Sequence, residues 1–318
     1  MRLFLLCISF LFLVSCTKNV DLSFPDVQSE IVVDGRIETG QPPLIFLTRT
    51  QSFNAPLNAS ALAGIFVHDA IVTVSNGTDT IQLQELCAAT LEGEELILAA
   101  ELLGVTPEDL LEIEYCVYTD LTLSMIGEEG VYYFLDIITA EAQVLRAETL
   151  IPQSIPLDSL WFEFWAASDS LGFLHAELSD PASTRNAYRW WAQRTNKYSG
   201  TQEQKDFGFI APIGSVFEDS FFDGLTFEFI YNRGSIANSN KLDDTNEEAG
   251  FFKLNDTVTV KFAATTLAVE NYISISDDQF VSTGSPFAIP TNLPSNVQGG
   301  KGLWAGYAPL FFEVICVP

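Results

Sequence analysis

The sequence predicts a mostly-β chain built as two β-sandwich-like domains, the first with a small helical insert. Three observations carry that prediction. Short β-branched and aromatic runs alternate in hydrophobicity and are separated by turn residues. One stretch, 93–114, changes to a helical pattern, and it lies between Cys87 and Cys116. Hydrophobic residues make up 47% of the chain and charged ones 18%, which is too apolar for disorder and ample for a sizeable core.

Residues 1–15 read as a lipoprotein signal peptide. Arg2 is a short positive start, and Leu3 to Val14 is an apolar run too short to span ~30 Å of hydrocarbon. Leu13-Val14-Ser15-Cys16 then fits a bacterial lipobox. Cleavage after Ser15 leaves Cys16 as the lipidation site and 16–29 as a lipidated leader. Several acyl chains on one cysteine anchor a protein stably where a single chain does not.

Residues 30–152 form the expected N-terminal sandwich. Glu30 to Gly35 is β-branched and ends on a turn dipeptide, Asp34-Gly35. Pro43 to Thr50 is a second strand, and Ala70 to Ser75 runs into Asn76-Gly77, a strong hairpin signal. Gly130 to Ile137 and Gln143 to Leu150 are longer strands. Within the insert, Thr106-Pro107-Glu108-Asp109 is a helix start: a Thr cap, Pro at the first position and acids in the first turn. Cys87 and Cys116 bracket this insert and are the natural disulfide pair. Pairings of either with Cys316 remain open from the sequence.

Pro152 and Pro156 mark a boundary, and 153–318 form a C-terminal β-rich domain. Leu160, Phe162 and Phe164 share one face of a strand, while Trp161, Glu163 and Trp165 share the other. Further strands cover Gly172 to Leu178, Asn186 to Thr195, Leu225 to Tyr231 and Asp256 to Ala263. Thr266 to Asp278 reads as a short helix. Gly234 to Gly250, with Asp243, Asp244, Glu247 and Glu248, reads as an exposed acidic loop.

The charge balance excludes some partners. Lys plus Arg is 15 and Asp plus Glu is 42, so the formal charge is 15 − 42 = −27. A nucleic-acid backbone is repelled, and anionic lipid finds no basic stripe to grip.

The order of short motifs is familiar. The cysteine of the lipobox is followed by Ile31-Val32-Val33-Asp34-Gly35-Arg36-Ile37, Ile45-Phe46-Leu47-Thr48-Arg49-Thr50 and Ala70-Ile71-Val72-Thr73-Val74. Gly130-Val131-Tyr132, Ile155-Pro156-Leu157-Asp158-Ser159-Leu160 and Ser179-Asp180-Pro181 come next. The chain closes on Asn292-Leu293-Pro294-Ser295-Asn296-Val297-Gln298-Gly299-Gly300-Lys301-Gly302-Leu303-Trp304. Over nearly the whole mature chain this resembles the Bacteroidota outer-membrane lipoproteins grouped as domain of unknown function 4249. The resemblance implies a lipid-anchored outer-membrane protein, often encoded near TonB-dependent receptors, and no known activity. Thr17 to Asp21 carries one acid and one lysine, which leaves cell-surface and periplasmic placement both open. Bacteroidota also O-glycosylate exported proteins at an Asp-Ser/Thr-apolar triplet. Four positions fit: Thr80, Ser159, Ser170 and Thr257. Such triplets also suit turn-to-strand junctions.

No pattern of catalytic chemistry stands out. The chain has two histidines, His68 and His175, and no Gly-x-Ser-x-Gly elbow. No Cys/His spacing suggests zinc, and Gly299 to Gly302 reads as a tight turn rather than a phosphate loop. Calcium in the loop from Asp243 to Glu248 lacks an EF-hand spacing. The expectation is therefore a non-enzymatic protein with no metal and no cofactor. Tryptophan supplies the contact candidates. Trp161 and Trp165 share an alternate face, and of the neighbours Trp190 and Trp191 one must turn away from the core. Trp161, Trp165 and Trp191 are the expected ligand or partner contacts. The leading reading is an accessory or binding subunit of an outer-membrane β-barrel, such as a TonB-dependent transporter. A stand-alone glycan- or peptide-binding lipoprotein and a hydrolase of unrecognised type are the alternatives.

Overall fold

A computed structural model describes residues 29–51, 64–103, 105–112, 115–202, 204–234, 248, 250–282 and 292–318. Cys16, the signal peptide and most of the leader lie outside the described residues, as do Asp243, Asp244 and Glu247. The chain is mostly β. Its largest unit is an eight-stranded sheet. In spatial order its strands are β12 (Val216–Glu218), β11 (Ala187–Arg194), β15 (Thr257–Thr265), β17 (Lys301–Ile315), β1 (Ile31–Glu38), β2 (Leu44–Arg49), β6 (Cys116–Thr119) and β5 (Gln84–Cys87). β17 pairs β1 in parallel, so the two ends of the described chain meet in the middle of the sheet.

Two smaller sheets lie side by side on one face of this large sheet. The first holds β16 (Val297–Gln298), β8 (Val144–Leu150), β7 (Tyr132–Ile138), β3 (Ile71–Ser75) and β4 (Thr80–Gln82). The second holds β13 (Thr226–Tyr231), β10 (Leu171–Ser179) and β14 (Phe252–Lys253), with β9 (Ser159–Phe164) also paired to β10. Each encloses its own core. Ile31, Val33, Ile45, Leu135 and Trp304 belong to the first, and Leu174, Trp190, Val260, Phe262 and Cys316 to the second.

Strand alternation in β17 connects the two cores. Trp304 and Ala308 point into the first, and Phe312 and Val314 into the second. Leu303, Ala305 and Tyr307 point to the opposite face, where α3 (Leu267–Ser282) covers them. The boundary expected near residue 152 therefore does not divide the chain into separate sheets. The smaller sheets cover separate cores, but strands from both sides of that boundary share the eight-stranded sheet.

Local chemistry explains most elements. The Asn76-Gly77 hairpin forms as expected, with Asn76 Oδ1 accepting from the amides of Thr78 and Asp79 and Gly77 at a φ of 89°. The insert folds as α1 (Gly93–Leu103) and α2 (Pro107–Glu112), and the amide of Asp109 donates to Thr106 Oγ1 at 3.1 Å. Cys87 and Cys116 face each other across β5 and β6 at disulfide distance and staple the base of the insert. Cys316 is a free, fully buried thiol. Burial pushes its pKa up to about 12.

The expected turn at Asp34-Gly35 is corrected: β1 continues to Glu38. Gly35 is needed for space, because a Cβ there would lie 2.8 Å from the Trp304 ring. Trp304 Nε1 donates to the carbonyl of Tyr133, which ties the large sheet to the smaller one.

Candidate functional site

The face of the eight-stranded sheet opposite the two cores is only partly covered. α3 lies on one side and α1 on the other, and a groove with two lobes runs between them. One lobe, of about 510 Å³, is lined by Glu38, Leu44, Leu98, Phe209, Lys261 and Phe311. The other, of about 560 Å³, is lined by Asp34, Arg189, Tyr272, Asp277 and Tyr307. Arg36 and Trp191 line both lobes.

Strand period and register place these residues. On β11, Tyr188, Trp190 and Ala192 enter the core, so Arg189, Trp191 and Gln193 emerge on the groove side. Lys261 sits opposite Trp191 on one side and Phe311 on the other, giving a row across three strands. On β1 the buried positions Ile31, Val33 and Ile37 leave Asp34, Arg36 and Glu38 on the groove face.

Trp191 is the centre of the groove. Arg189 Cζ lies 4.6 Å from its ring centroid and Lys261 Nζ lies 4.8 Å away. Tyr307 meets the same ring edge-on at 5.3 Å. Lys261 donates to both oxygens of Glu38, at 2.7 and 2.6 Å. Burial lowers the pKa of Lys261, the Glu38 carboxylate raises it, and the charges of Arg36 and Arg189 lower it again. Arg189 differs from its neighbours. Its Nη1 donates to Tyr307 Oη at 3.0 Å, its Nε is buried with no acceptor, and it forms no salt bridge among the described residues.

The three tryptophans do not form one site. Trp161 and Trp165 lie on the outer face of the second small sheet, away from the groove. Trp161 stacks on His175 at 5.5 Å and donates to Glu163 at 2.8 Å. Trp165 is 44% exposed and stacks on Phe251 at 5.1 Å. Among the described residues both histidines have glutamate partners: His68 pairs with Glu85 at 2.5 Å and His175 with Glu228 at 2.8 Å. Of the glycosylation candidates, Thr80 and Ser159 are exposed on β4 and β9, whereas Ser170 and Thr257 are partly buried.

The acidic loop holds a second correction. Glu248 is 5% exposed and belongs to a buried ionic network. Arg194 donates to Asp206 and Glu248 at 2.8 Å each, and Lys205 to Glu248 at 3.1 Å and Asp256 at 2.7 Å. Arg233 lies 3.7 Å from Asp206. Burial raises the pKa of Glu248, but hydrogen bonds from Lys253 and Lys205 and the charges of Lys205 and Arg194 outweigh it and lower it overall. Its neighbours in sequence supply charge, but this one carboxylate is drawn inside by cations brought from β11 and the following loop.

Two other clusters hold ligand-type atoms. Asp180, Asp219 and Asp223 bring one oxygen each within 4.8 Å. These carboxylates already accept from Tyr188 Oη and the amides of Gly224, Asn186 and Ser183, and Arg185 faces Asp219 at 3.3 Å. His68 and Glu85 lie beside Cys87 and Cys116, whose sulfurs are committed to each other. A further hollow of about 550 Å³ lies over β7 and β8, but the Asp136–Arg146 pair at 2.9 Å already balances charge there.

Sequence reasoning found Trp191 and missed its companions. Their signals were present. Asp34, Arg36 and Glu38 alternate on a strand whose other face is apolar, and Lys261 is the one charged residue in the run Val258 to Ala264. Comparison with protein-family models and with curated proteins found no match.

Proposed function

We propose that this chain is a membrane-tethered binding protein, held by acylated Cys16 and acting without turnover as an accessory subunit of an outer-membrane β-barrel such as a TonB-dependent transporter. The groove centred on Trp191 carries the reading. It is concave, of ligand size, walled by two helical elements and lined by aromatic rings beside fixed charges. A rigid sheet forms its floor, so little ordering cost falls on binding. A lipid tether confines the groove near a barrel and raises the effective concentration without a tight interface. The lipobox and the likeness to domain of unknown function 4249 support the location.

No helix among the described residues is long and apolar enough to cross a membrane, so in this reading the acyl chains supply the anchor. Cys16→Ala is expected to move the protein into the soluble fraction. A variant still retained on membranes after high salt and carbonate would contradict the anchor. Purification of the tagged native lipoprotein from outer membranes, followed by mass spectrometry, is expected to recover a β-barrel, and Trp191→Ala is expected to reduce that recovery or the retention of a bound ligand. Recovery of neither sinks the accessory-subunit reading.

The second reading, a stand-alone glycan- or peptide-binding lipoprotein, draws on the 44% exposed Trp165 with its stacked Phe251. Trp161→Ala combined with Trp165→Ala is expected to reduce retention on a glycan array if that face binds sugar, with circular dichroism unchanged.

A further inference from the structure

We propose that the groove binds a small organic acid through a single carboxylate, which docks on Arg189 while an apolar or aromatic body lies against Trp191 and Phe311. This rests on the reading of the groove as a binding site and adds the class of ligand.

The first ground is an uncompensated cation. Lys261 is held by Glu38, and Arg36 lies 3.9 Å from the same carboxylate. Arg189 has no carboxylate within salt-bridge distance among the described residues, although it is partly buried. A charge withdrawn from water without a counter-ion is unfavourable, and a ligand anion removes that penalty. Stacking on Trp191 and the bond to Tyr307 hold the guanidinium in one orientation, and a fixed planar fork suits a carboxylate.

The second ground is the local charge balance. The chain carries −27 overall, which repels anions at long range. The groove lining offsets this locally. Arg36, Arg189 and Lys261 set against Asp34, Glu38 and Asp277 give 3 − 3 = 0, and of the three cations Arg189 is the one with no carboxylate at salt-bridge distance among the described residues. Asp277, on the α3 wall, accepts from the amide of Gly214 at 2.9 Å and keeps its charge in the lining. A neutral lining with one cation left without a carboxylate suits a single negative charge better than a phosphate dianion. Burial lowers the pKa of Lys261; Glu38 raises it, and the charges of Arg36 and Arg189 lower it further.

The third ground is shape. Phe311 is 58% exposed and Leu98 68% exposed, and Phe209 packs on Phe311 at 5.9 Å. These apolar surfaces lie in the lobe next to the cation, so an acid with a hydrophobic body meets both. Lobes of about 510 and 560 Å³ suit a small molecule.

The test is calorimetric titration of the full-length lipoprotein in detergent. Phenylacetate and 4-phenylbutyrate serve as probes, with their neutral amides, inorganic phosphate and a phenylalanine-ended tripeptide as comparisons. The acids are expected to bind roughly tenfold or more tightly than their amides, with phosphate weaker than either acid. Arg189→Gln should erase the difference between acid and amide, while Arg189→Lys should restore some of it. Trp191 fluorescence should respond to the acids in the wild type. Equal affinity for acid and amide, an unchanged preference in Arg189→Gln, or tighter binding of phosphate or the tripeptide would overturn the assignment. Because barrel recovery from native membranes is a separate readout, loss of the carboxylate preference leaves the accessory-subunit reading standing or falling on its own result.

Discussion

Arg189 and Arg194 lie five residues apart on the same strand and face opposite circumstances. Arg194 is 1% exposed and has three carboxylates nearby through the network: Asp206 and Glu248 bonded directly, and Asp256 through Lys205. Arg189 lines a groove, stacks on Trp191 and has no carboxylate partner among the described residues. The difference separates two uses of buried charge. A closed network satisfies its own members and fixes the surrounding loops in one arrangement. An open cation, the role proposed for Arg189, leaves a charge that a ligand anion can pair. Substitution therefore acts on folding in one place and on binding in the other.

The largest expected effect comes from opening the closed network. Arg194→Met leaves Asp206 and Glu248 short of their strongest partner, and a buried ion pair broken on one side costs about 3–5 kcal/mol. Chemical denaturation monitored by tryptophan fluorescence measures it. A loss below about 1 kcal/mol, on the order of a surface substitution, would show that the network is dispensable.

Removing the Cys87–Cys116 link ranks next. The two cysteines are 29 residues apart, and on the chain-entropy model a loop of that order contributes about 3–4 kcal/mol. The paired serine variant is expected to lose helical signal from α1 and α2 before the β-sheet signal falls. Non-reducing peptide mapping checks the connectivity, and Cys316 is expected unlinked.

Acid should act through carboxylates that are depressed in the fold. Desolvation raises the pKa of Asp120, but hydrogen bonds from Thr122 Oγ1, the Met125 amide, Ser124 Oγ and the Thr122 amide outweigh it and hold it at about 2. Its folded value lies below its unfolded value, so its stabilisation is full above the ordinary carboxylate range and is lost as pH falls from about 4 towards 2. Glu248 is shifted in the same direction and adds to the loss. Asp120→Asn is expected to cost about 1–2 kcal/mol at neutral pH and to flatten the acid limb of stability against pH. An acid limb as steep as the wild type would contradict the role given to Asp120.

The smallest stability effect is expected at the open site. Arg189→Gln removes one hydrogen bond and the ring contacts with Trp191 and Tyr307, for about 1 kcal/mol.

Much of the fold was legible because local signals and tertiary packing agree. Asn76-Gly77, the Thr106 cap and the two-residue period around Phe162 each describe short-range geometry, and each forms as the sequence indicates. The sharing of one sheet by strands from both sides of residue 152 was not readable, because the pairing of β1 with β17 joins residues about 270 apart, and no local pattern encodes such a contact. Asp34-Gly35 misled for a related reason: its glycine answers a distant tryptophan rather than a turn. Of the site, the alternation that turns Trp191 outward was readable. The companions Arg189, Lys261, Arg36 and Glu38 come from three separate strands, and only the sheet order assembles them. Glu248 looked solvated because the two buried cations that bond it, Lys205 and Arg194, lie 43 and 54 residues away.

The most direct measurement compares unfolding of wild type, Arg189→Gln and Arg194→Met with and without saturating 4-phenylbutyrate. A ligand that binds only the folded state at about 100 times its Kd stabilises by about 2.7 kcal/mol. The wild type is expected to gain on that order, Arg189→Gln to start near the wild-type baseline and gain nothing, and Arg194→Met to start far lower. Equal baselines for the two variants, or an equal gain from ligand in wild type and Arg189→Gln, would contradict the division between a closed structural network and an open binding cation.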